Sequence, residues 1–151
     1  MNRQTGPQLK DIAGLAALVK KRGSGARRFL VALAGPPAAG KSTVAQALAD
    51  ALRAGGDTAT VIPMDGFHYD DAVLDRLGLR ARKGSPATFD AAGFKALLQR
   101  LKACEPDVAI PHFDRALELS RAAAELVSAD VKFLVIEGNY LLLEEAPWAS
   151  L

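Results

Sequence analysis

The sequence predicts an α/β fold in which a doubly wound parallel sheet carries helices on both faces. Short apolar runs alternate along the chain with segments whose apolar residues recur at helical spacing. The apolar runs are continuous rather than alternating with polar residues, as expected for strands that are buried on both faces. Glycine-rich or acidic residues follow three of these runs, at the strand ends where open parallel sheets bind their ligands.

The composition is that of a globular chain and excludes several classes of function. Its 151 residues are 50% apolar and 24% charged, and the net charge is +2. So small a charge disfavours binding to nucleic acid or to an anionic membrane. The one cysteine, Cys104, can form neither an internal disulfide nor a cysteine-based zinc site. No apolar run reaches the roughly 20 residues that cross a bilayer, so we expect a cytoplasmic protein.

Two helices and two strands are predicted in the first half of the chain. Helical spacing of apolar residues predicts a leading helix over about residues 8–22. The apolar run from Phe29 to Ala34 predicts a buried strand. The helical pattern resumes at Ser42 and stops at Gly55. A second strand, rich in β-formers, is predicted from Thr58 to Met64.

The second half begins with a polar, arginine-rich segment for which we predict a loop. Asp90 can cap the helix predicted after it, and Val108 to Ile110 suggests a brief extended piece. The alanine, leucine and glutamate content of Arg115 to Leu126 favours a helix. Phe133 to Ile136 predicts the last buried strand.

The strongest chemical signal is the segment GPPAAGKST, which fits the phosphate-binding pattern G-x-x-x-x-G-K-[ST] between a predicted strand and a predicted helix. Its small residues let backbone N–H groups surround phosphate oxygens. The lysine can reach the β- and γ-phosphates, and the serine hydroxyl can bind Mg²⁺. The pattern predicts a P-loop NTPase fold. The predicted nucleotide-binding residues are Gly35, Pro36, Pro37, Ala38, Ala39, Gly40, Lys41, Ser42 and Thr43.

Two carboxylates follow the other predicted strands. Asp65 can face the γ-phosphate from the acceptor side, where it would orient an incoming hydroxyl and accept its proton. Glu137 can hold Mg²⁺ directly or through water, together with Ser42. The alternatives are a turn-forming aspartate before Gly66 and a solvated charge at a strand end.

A candidate acceptor site follows Asp65 in the chain. His68 and Tyr69 are candidates to line the acceptor pocket. A basic cluster after them could hold an anionic group, the alternative being an exposed, solvated loop. The cluster contains Arg76, Arg80, Arg82 and Lys83.

Five motifs together resemble the phosphoribulokinase, uridine kinase and pantothenate kinase superfamily of P-loop kinases. The motifs are GPPAAGKST at 35–43, MDGFH at 64–68, RKGSPATFD at 82–90, IPHFDR at 110–115 and VIEGNYLLL at 135–143. The resemblance covers about residues 28–148 and is strongest to the bacterial branch of small nucleoside or fructose-transport-type kinases. It implies ATP and Mg²⁺ as cofactors, Asp65 at the position of the catalytic base and Glu137 at that of the metal-site carboxylate. The candidate substrate residues are His68, Tyr69, Arg82, Lys83, Phe89, Phe113 and Arg115.

The resemblance leaves the acceptor open. Gly84 stands where uridine kinases have an aspartate that holds the ribose, which counts against a nucleoside. Arg115 stands where pantothenate kinases carry a histidine near their acceptor, which puts pantothenate in doubt. A sugar, a nucleoside and a pantothenate-like compound all remain candidates.

We therefore predict one P-loop kinase domain over residues 1–151, with a nucleotide-binding core over about 28–151. The resemblance implies a further strand and an arginine-bearing lid, which we expect to be missing after the last residue. The predicted function is ATP-dependent transfer of the γ-phosphate to a hydroxyl of a small metabolite, with Lys41 and Asp65 as catalytic residues. The alternative is a nucleotide-binding module, or a truncated kinase fragment, without transfer activity. Whether the chain forms a homodimer is left open.

Overall fold

A computed structural model describes residues 11–151 of the chain. These residues form four α-helices and five strands. The helices are α1 (Ile12–Arg22), α2 (Lys41–Ala54), α3 (Asp71–Leu77) and α4 (Ala91–Lys102), and the strands are β1 (Phe29–Ala34), β2 (Ala59–Pro63), β3 (Val108–Asp114), β4 (Leu119–Val127) and β5 (Phe133–Gly138). Within the described residues, no helix is both long enough and apolar enough to span a membrane.

Three strands form a parallel sheet in the order β1-β5-β2. The register aligns Leu33 of β1 and Pro63 of β2 with Glu137 of β5. Because the three strands run in the same direction, their carboxyl ends lie level at one edge of the sheet. The segments that leave these ends therefore meet there.

The sheet is covered on both faces, as the sequence predicts. All six residues of β5 are buried. Phe133 and Val135 belong to an apolar cluster with residues of α1 and α2, whereas Leu134 and Ile136 belong to a second cluster with α4 and β3. Such alternation is what a strand packed on both faces requires.

The predicted elements of the parallel sheet are confirmed. The three apolar runs form β1, β2 and β5, and the helix after the glycine-rich loop is α2. The leading helix begins at Ile12, and the Asp11 side chain caps it by accepting the Gly14 N–H at 2.6 Å. The part of that prediction that covers residues 8–10 lies outside the described residues.

The helix predicted from Arg115 to Leu126 is wrong. This segment instead forms β4, which pairs in antiparallel fashion with β3, as in Val127 with Val108 and Leu119 with Asp114. Helix propensity differs by at most about 0.7 kcal/mol per ordinary residue, and a partner strand outweighs it because the ladder satisfies the backbone groups of both strands. The extended piece predicted at Val108 continues to Asp114, beyond the predicted end at Ile110.

The arginine-rich segment predicted as a loop contains a short helix, α3. Asp70 caps it by accepting the Ala72 N–H at 2.8 Å, and Gly78 ends it with φ +67°. An aspartate before and a glycine after a short apolar pattern are the usual boundary signals of a helix, so the sequence contained the evidence for this element.

A buried arginine ties the sheet to the second layer of the fold. Arg28, immediately before β1, donates to three backbone carbonyls: Leu101 at 2.7 Å, Ser128 at 2.6 Å and Val131 at 2.8 Å. The residue is only 9% exposed. One guanidinium thus joins the end of α4 and the β4–β5 connection to the edge strand of the sheet.

We expect Arg28→Met to lower the free energy of unfolding by about 2–4 kcal/mol, because several carbonyls lose a charged donor. Arg28→Lys should recover only part of this loss, since an ammonium group cannot reproduce the fixed fork of donors. Urea unfolding followed by circular dichroism would measure both variants. Arg27→Met, which changes the exposed neighbour, is the control. Equal stability of the Arg28→Met and Arg27→Met proteins would contradict the role of Arg28.

Candidate functional site

The segments that leave the three parallel strands enclose one cleft of about 720 Å³. The loop after β1, the turn after β2 and the end of β5 each contribute residues to its wall. Most of the predicted chemical residues therefore lie together. Those in the wall are Pro37, Ala38, Gly40, Lys41, Ser42, Thr43, Asp65, His68, Lys83, Phe89, Arg115 and Glu137.

The glycine-rich loop joins β1 to α2 in a conformation suited to an anion. Gly40, the residue before α2, has φ +78°, and Ala38 has φ +59°. Gly40 offers no side chain to accept the first N–H groups of the helix. These donors, which have no acceptor within the helix, carry the positive end of the helix dipole. Phosphate oxygens are the natural acceptors at such a helix terminus.

Lys41 lies across the loop rather than pointing into solvent. Its ammonium group donates to the Pro36 carbonyl at 2.8 Å. This contact holds a positive charge over the loop that surrounds the expected phosphate position. A phosphate group offers the same ammonium a stronger, charged acceptor.

Glu137 is the buried acid of the site. It is 8% exposed at the end of β5. Burial raises the pKa of its carboxyl above the ordinary value, and the negative charge of Asp65 raises it further. Lys41, the Ser42 hydroxyl and Arg115 act in the opposite direction. A positive charge close to Glu137 would therefore stabilise the ionised form of its carboxyl.

Asp65 lies on the tight turn Met64–Phe67 that follows β2. The Arg115 guanidinium donates to its Oδ2 atom at 2.7 Å. Gly66 is required in this turn because a Cβ atom there would stand 2.5 Å from the Pro111 carbonyl oxygen of β3. The β3–β4 hairpin thus packs directly on the backbone of the turn and brings Arg115 to Asp65.

The donor set of this cleft fits Mg²⁺ and a nucleotide. Ser42 and Glu137 line the same wall, and hydroxyl and carboxylate oxygens are the ligands that Mg²⁺ prefers. A divalent cation would also relieve the repulsion between the two carboxylates that raises the pKa of Glu137. The loop amides and Lys41 would hold the phosphates that share the metal.

The aromatic rings of His68 and Phe89 also line the cleft. The His68 ring lies between those of Phe89 and Phe113, with centroids 4.0 and 4.9 Å away. His68 Nδ1 is 2.8 Å from the Asp65 carbonyl oxygen, and because a carbonyl only accepts, this nitrogen carries the proton. Phe113 lines an adjoining cleft of about 230 Å³, which shares Asp65 with the larger one.

Not every predicted substrate residue lies in the wall. Tyr69 and Arg82 lie outside the lining of both clefts, and Arg80 is paired with Asp71 and Asp75 on α3. The sequence reasoning missed Asn139 as a lining residue. Its place two residues after Glu137, at the same strand end, was the available signal.

Gly84, which the sequence marks only as a departure from uridine kinases, also lines the cleft. Its carbonyl accepts a hydrogen bond from the Tyr140 hydroxyl. Tyr140 follows β5, so this contact joins the segment at 83–89 to the end of the central strand. No pattern in the sequence predicts a hydrogen bond between residues that are 56 positions apart.

Comparisons with known proteins agree with this arrangement. No protein-family model matches the sequence. The chain is 39% identical over 131 residues to a candidate uridine kinase of Schizosaccharomyces pombe, over 82% of this chain and 56% of that protein. It is 34% identical over 125 residues to a pantothenate kinase of Clavibacter sepedonicus, over 82% of this chain and 39% of that protein. The chain thus spans about half the length, or less, of these curated relatives.

The solved structures that resemble this chain are also described as kinases. A candidate fructose transport system kinase from Silicibacter sp. TM1040 superimposes with a TM-score of 0.82 at 42% sequence identity, over 93% of this chain and 68% of that one. A structure described as a possible uridine kinase from Bacillus stearothermophilus has a TM-score of 0.64 at 21% identity, over 89% of this chain and 74% of that one. The second likeness is one of fold alone.

The raised pKa of Glu137 predicts a dependence of stability on pH. Between the ordinary pKa of a glutamate and the raised value, the folded state binds more protons than the unfolded state, so stability falls as the pH rises. Glu137→Gln removes this loss. We expect the variant to have a higher melting temperature than the parent at pH 8 without nucleotide, with the difference shrinking towards pH 4.5. Thermal unfolding across this range would measure it, and a difference independent of pH would contradict the assignment.

Proposed function

This chain belongs to the phosphoribulokinase, uridine kinase and pantothenate kinase superfamily of P-loop kinases, and on that premise we propose that it transfers the γ-phosphate of ATP to a hydroxyl group of a small metabolite. One observation carries the proposal. Asp65, just after β2, and Glu137, near the end of the neighbouring strand β5, line one cleft together with Lys41 and Ser42 of the phosphate-binding loop. The residues proposed as acceptor base, metal ligand and phosphate site are thus adjacent.

The phosphate-binding loop would hold the nucleotide. Its amides and the α2 dipole would bind the phosphate oxygens, and Lys41 would exchange the Pro36 carbonyl for the β- and γ-phosphates. Ser42 and Glu137 would hold Mg²⁺. When bound, this ion neutralises charge on the phosphate oxygens as transfer proceeds.

Asp65 would act on the acceptor. In transfer, the acceptor oxygen forms a bond to the γ-phosphorus while the bond from that phosphorus to the ADP oxygen breaks. The hydroxyl proton passes to a carboxylate oxygen of Asp65. A positioned carboxylate is suited to this role because it accepts the proton only as the new bond forms.

The acceptor would lie against the aromatic side of the cleft. His68 and Phe89 offer flat apolar surface there, and the cleft volume of about 720 Å³ is within the usual range of small-molecule sites. The relatives are described as a uridine kinase, a pantothenate kinase and a fructose transport system kinase. We therefore propose a sugar, a nucleoside or a pantothenate-like compound as the acceptor. We propose a cytoplasmic location, where ATP and Mg²⁺ are available. A homodimer remains a prediction.

Asp65→Asn tests the proposed base. The amide keeps the shape of the side chain but cannot take the proton, so we expect kcat for acceptor-dependent ADP release to fall by about 10²–10⁴. The Kd for Mg·ATP should change by no more than about twofold. Steady-state kinetics on a panel of sugars, uridine and pantothenate would measure the first, and calorimetry the second.

Asp75→Asn is the matched control, because Asp75 is an exposed carboxylate that pairs with Arg80 and lies outside both clefts. Acceptor-dependent turnover that is unchanged in Asp65→Asn would exclude the base role. If the parent chain binds Mg·ATP but no acceptor stimulates ADP release, the nucleotide-binding module becomes the better description.

Lys41→Ala tests the phosphate site independently of any acceptor. Loss of a hydrogen bond to a charged group costs about 1.5–3 kcal/mol, so the Kd for Mg·ATP should rise about 10- to 100-fold. Lys21→Ala, at an exposed lysine of α1, should bind as the parent does. Equal affinities of the two variants would show that Lys41 does not bind the phosphates.

A further inference from the structure

We infer that the acceptor carries an anionic group, a carboxylate or a phosphate ester, close to the hydroxyl that is phosphorylated, and that Arg115 binds this group. The inference rests on the proposed kinase function and specifies the acceptor class of that site. It starts from the place that Arg115 occupies beside the proposed base.

Arg115 places an exposed positive charge beside the proposed base. It follows β3, and its side chain is 75% exposed. The guanidinium contacts Asp65 Oδ2 at 2.7 Å and lines both the large cleft and the adjoining smaller one. Any hydroxyl that approaches Asp65 therefore comes within reach of Arg115.

The charge of Arg115 loses its partner during the reaction. Among residues 11–151, Asp65 is its ion-pair partner. When Asp65 takes the acceptor proton, its negative charge disappears, and the guanidinium is left without a carboxylate partner among the described residues. An anionic group on the acceptor would compensate that charge with a charge-assisted hydrogen bond.

The other cation on this side is already compensated. Lys83 donates to Asp71 Oδ1 at 2.8 Å and to the Glu118 carbonyl at 3.0 Å. Its ammonium lies 5.5 Å from the centre of the Phe113 ring, and the Arg115 guanidinium lies 5.8 Å from the same ring. Lys83 is thus held by partners outside the reaction, whereas the partner of Arg115 is Asp65, the proposed base.

The other charged residues of the cleft wall are those proposed to bind the nucleotide and its metal ion. The wall contains three cations, Lys41, Lys83 and Arg115, and two carboxylates, Asp65 and Glu137. Lys41 and Glu137 serve the phosphates and the metal in the proposed function. On the acceptor side, Lys83 is paired with Asp71. Once Asp65 takes the proton, the charge of Arg115 is the one left without a carboxylate partner among the described residues, an arrangement complementary to an anionic rather than a neutral acceptor.

Distance restricts where the anion can be. A hydroxyl bound to Asp65 would stand about 2.6–3.2 Å from a carboxylate oxygen. A group bound to Arg115 would stand about as far from the guanidinium, which itself contacts Asp65. The hydroxyl and the anion are therefore separated by only a few carbon atoms, as in a short hydroxy acid or a small sugar phosphate.

Two series of matched probes test the inference. The first is glycerol, D-glycerate and glycerol 3-phosphate, and the second is D-ribose, D-ribonate and D-ribose 5-phosphate. Each series compares a neutral compound with its carboxylate and its phosphate ester, so the preferred anion is identified as well. ADP release from Mg·ATP gives kcat/KM for the parent protein and for Arg115→Gln, Arg115→Lys and Arg100→Gln. Arg100 is a control because it is an ion-paired, half-exposed arginine outside both clefts.

We expect the parent protein to prefer an anionic member of at least one series over its neutral counterpart by tenfold or more. Arg115→Gln should lose this preference, so that the ratio of kcat/KM between the anionic and the neutral compound falls by tenfold or more. Arg115→Lys should retain part of the preference, and Arg100→Gln all of it. A charged hydrogen bond of about 1.5–3 kcal/mol corresponds to a change of about 10- to 100-fold.

A binding measurement separates failure of the inference from failure of the proposed function. Trp148 is the one tryptophan of the chain, and its ring centroid lies 6.0 Å from that of Phe89, which lines the cleft. Its fluorescence would follow titration of each probe into the Mg·ADP complex. Anion binding that Arg115→Gln abolishes, without turnover, would support the anion site and contradict transfer.

Three results would overturn the inference. The first is a neutral compound turned over as well as its anionic counterparts. The second is Arg115→Gln lowering kcat equally for neutral and anionic acceptors, which would assign Arg115 to the transferred phosphate. The third is the absence of both turnover and fluorescence change with every anionic probe, while Mg·ATP still binds.

Discussion

The pairing of β5 between β1 and β2 is the constraint on which the rest of the site depends. Every residue of β5 is buried, and its register sets Glu137 level with Leu33 and Pro63. The phosphate-binding loop and the Asp65 turn leave the neighbouring strands at this level. Because a one-residue slip would reverse every side chain of β5 between the two apolar clusters, the core that stabilises the sheet also sets the positions of the chemical groups.

The same constraint makes the site unfavourable in the absence of ligands. A carboxylate at the buried end of β5 loses water and faces Asp65, and both effects raise the pKa of Glu137. Such a group adds little to the stability of the fold. Its ionised form is, however, strongly stabilised by a divalent cation, which would bind there together with the phosphates. The carboxylate of Glu137 thus lowers the stability of the ligand-free fold while it favours the proposed phosphoryl transfer.

The β3–β4 hairpin supplies what the parallel sheet lacks. Its backbone packs on the Asp65 turn at Gly66, where a side chain would collide with Pro111. This close approach brings Arg115 to Asp65 and Phe113 to His68. The sheet therefore positions the nucleotide groups, whereas the hairpin positions the groups that would recognise an acceptor.

Local patterns in the sequence were enough for the sheet strands, α2, the phosphate-binding loop and the acidic residues at strand ends, because apolar periodicity and turn chemistry involve neighbours in the chain. They were not enough for β4, whose composition favours a helix and whose conformation depends on pairing with β3. Nor could they place Arg115 against Asp65, 50 positions away, or Gly84 under Tyr140. These contacts required the tertiary structure, since strand pairing and cleft lining depend on segments that are distant in sequence and are brought together only by burial of a common core.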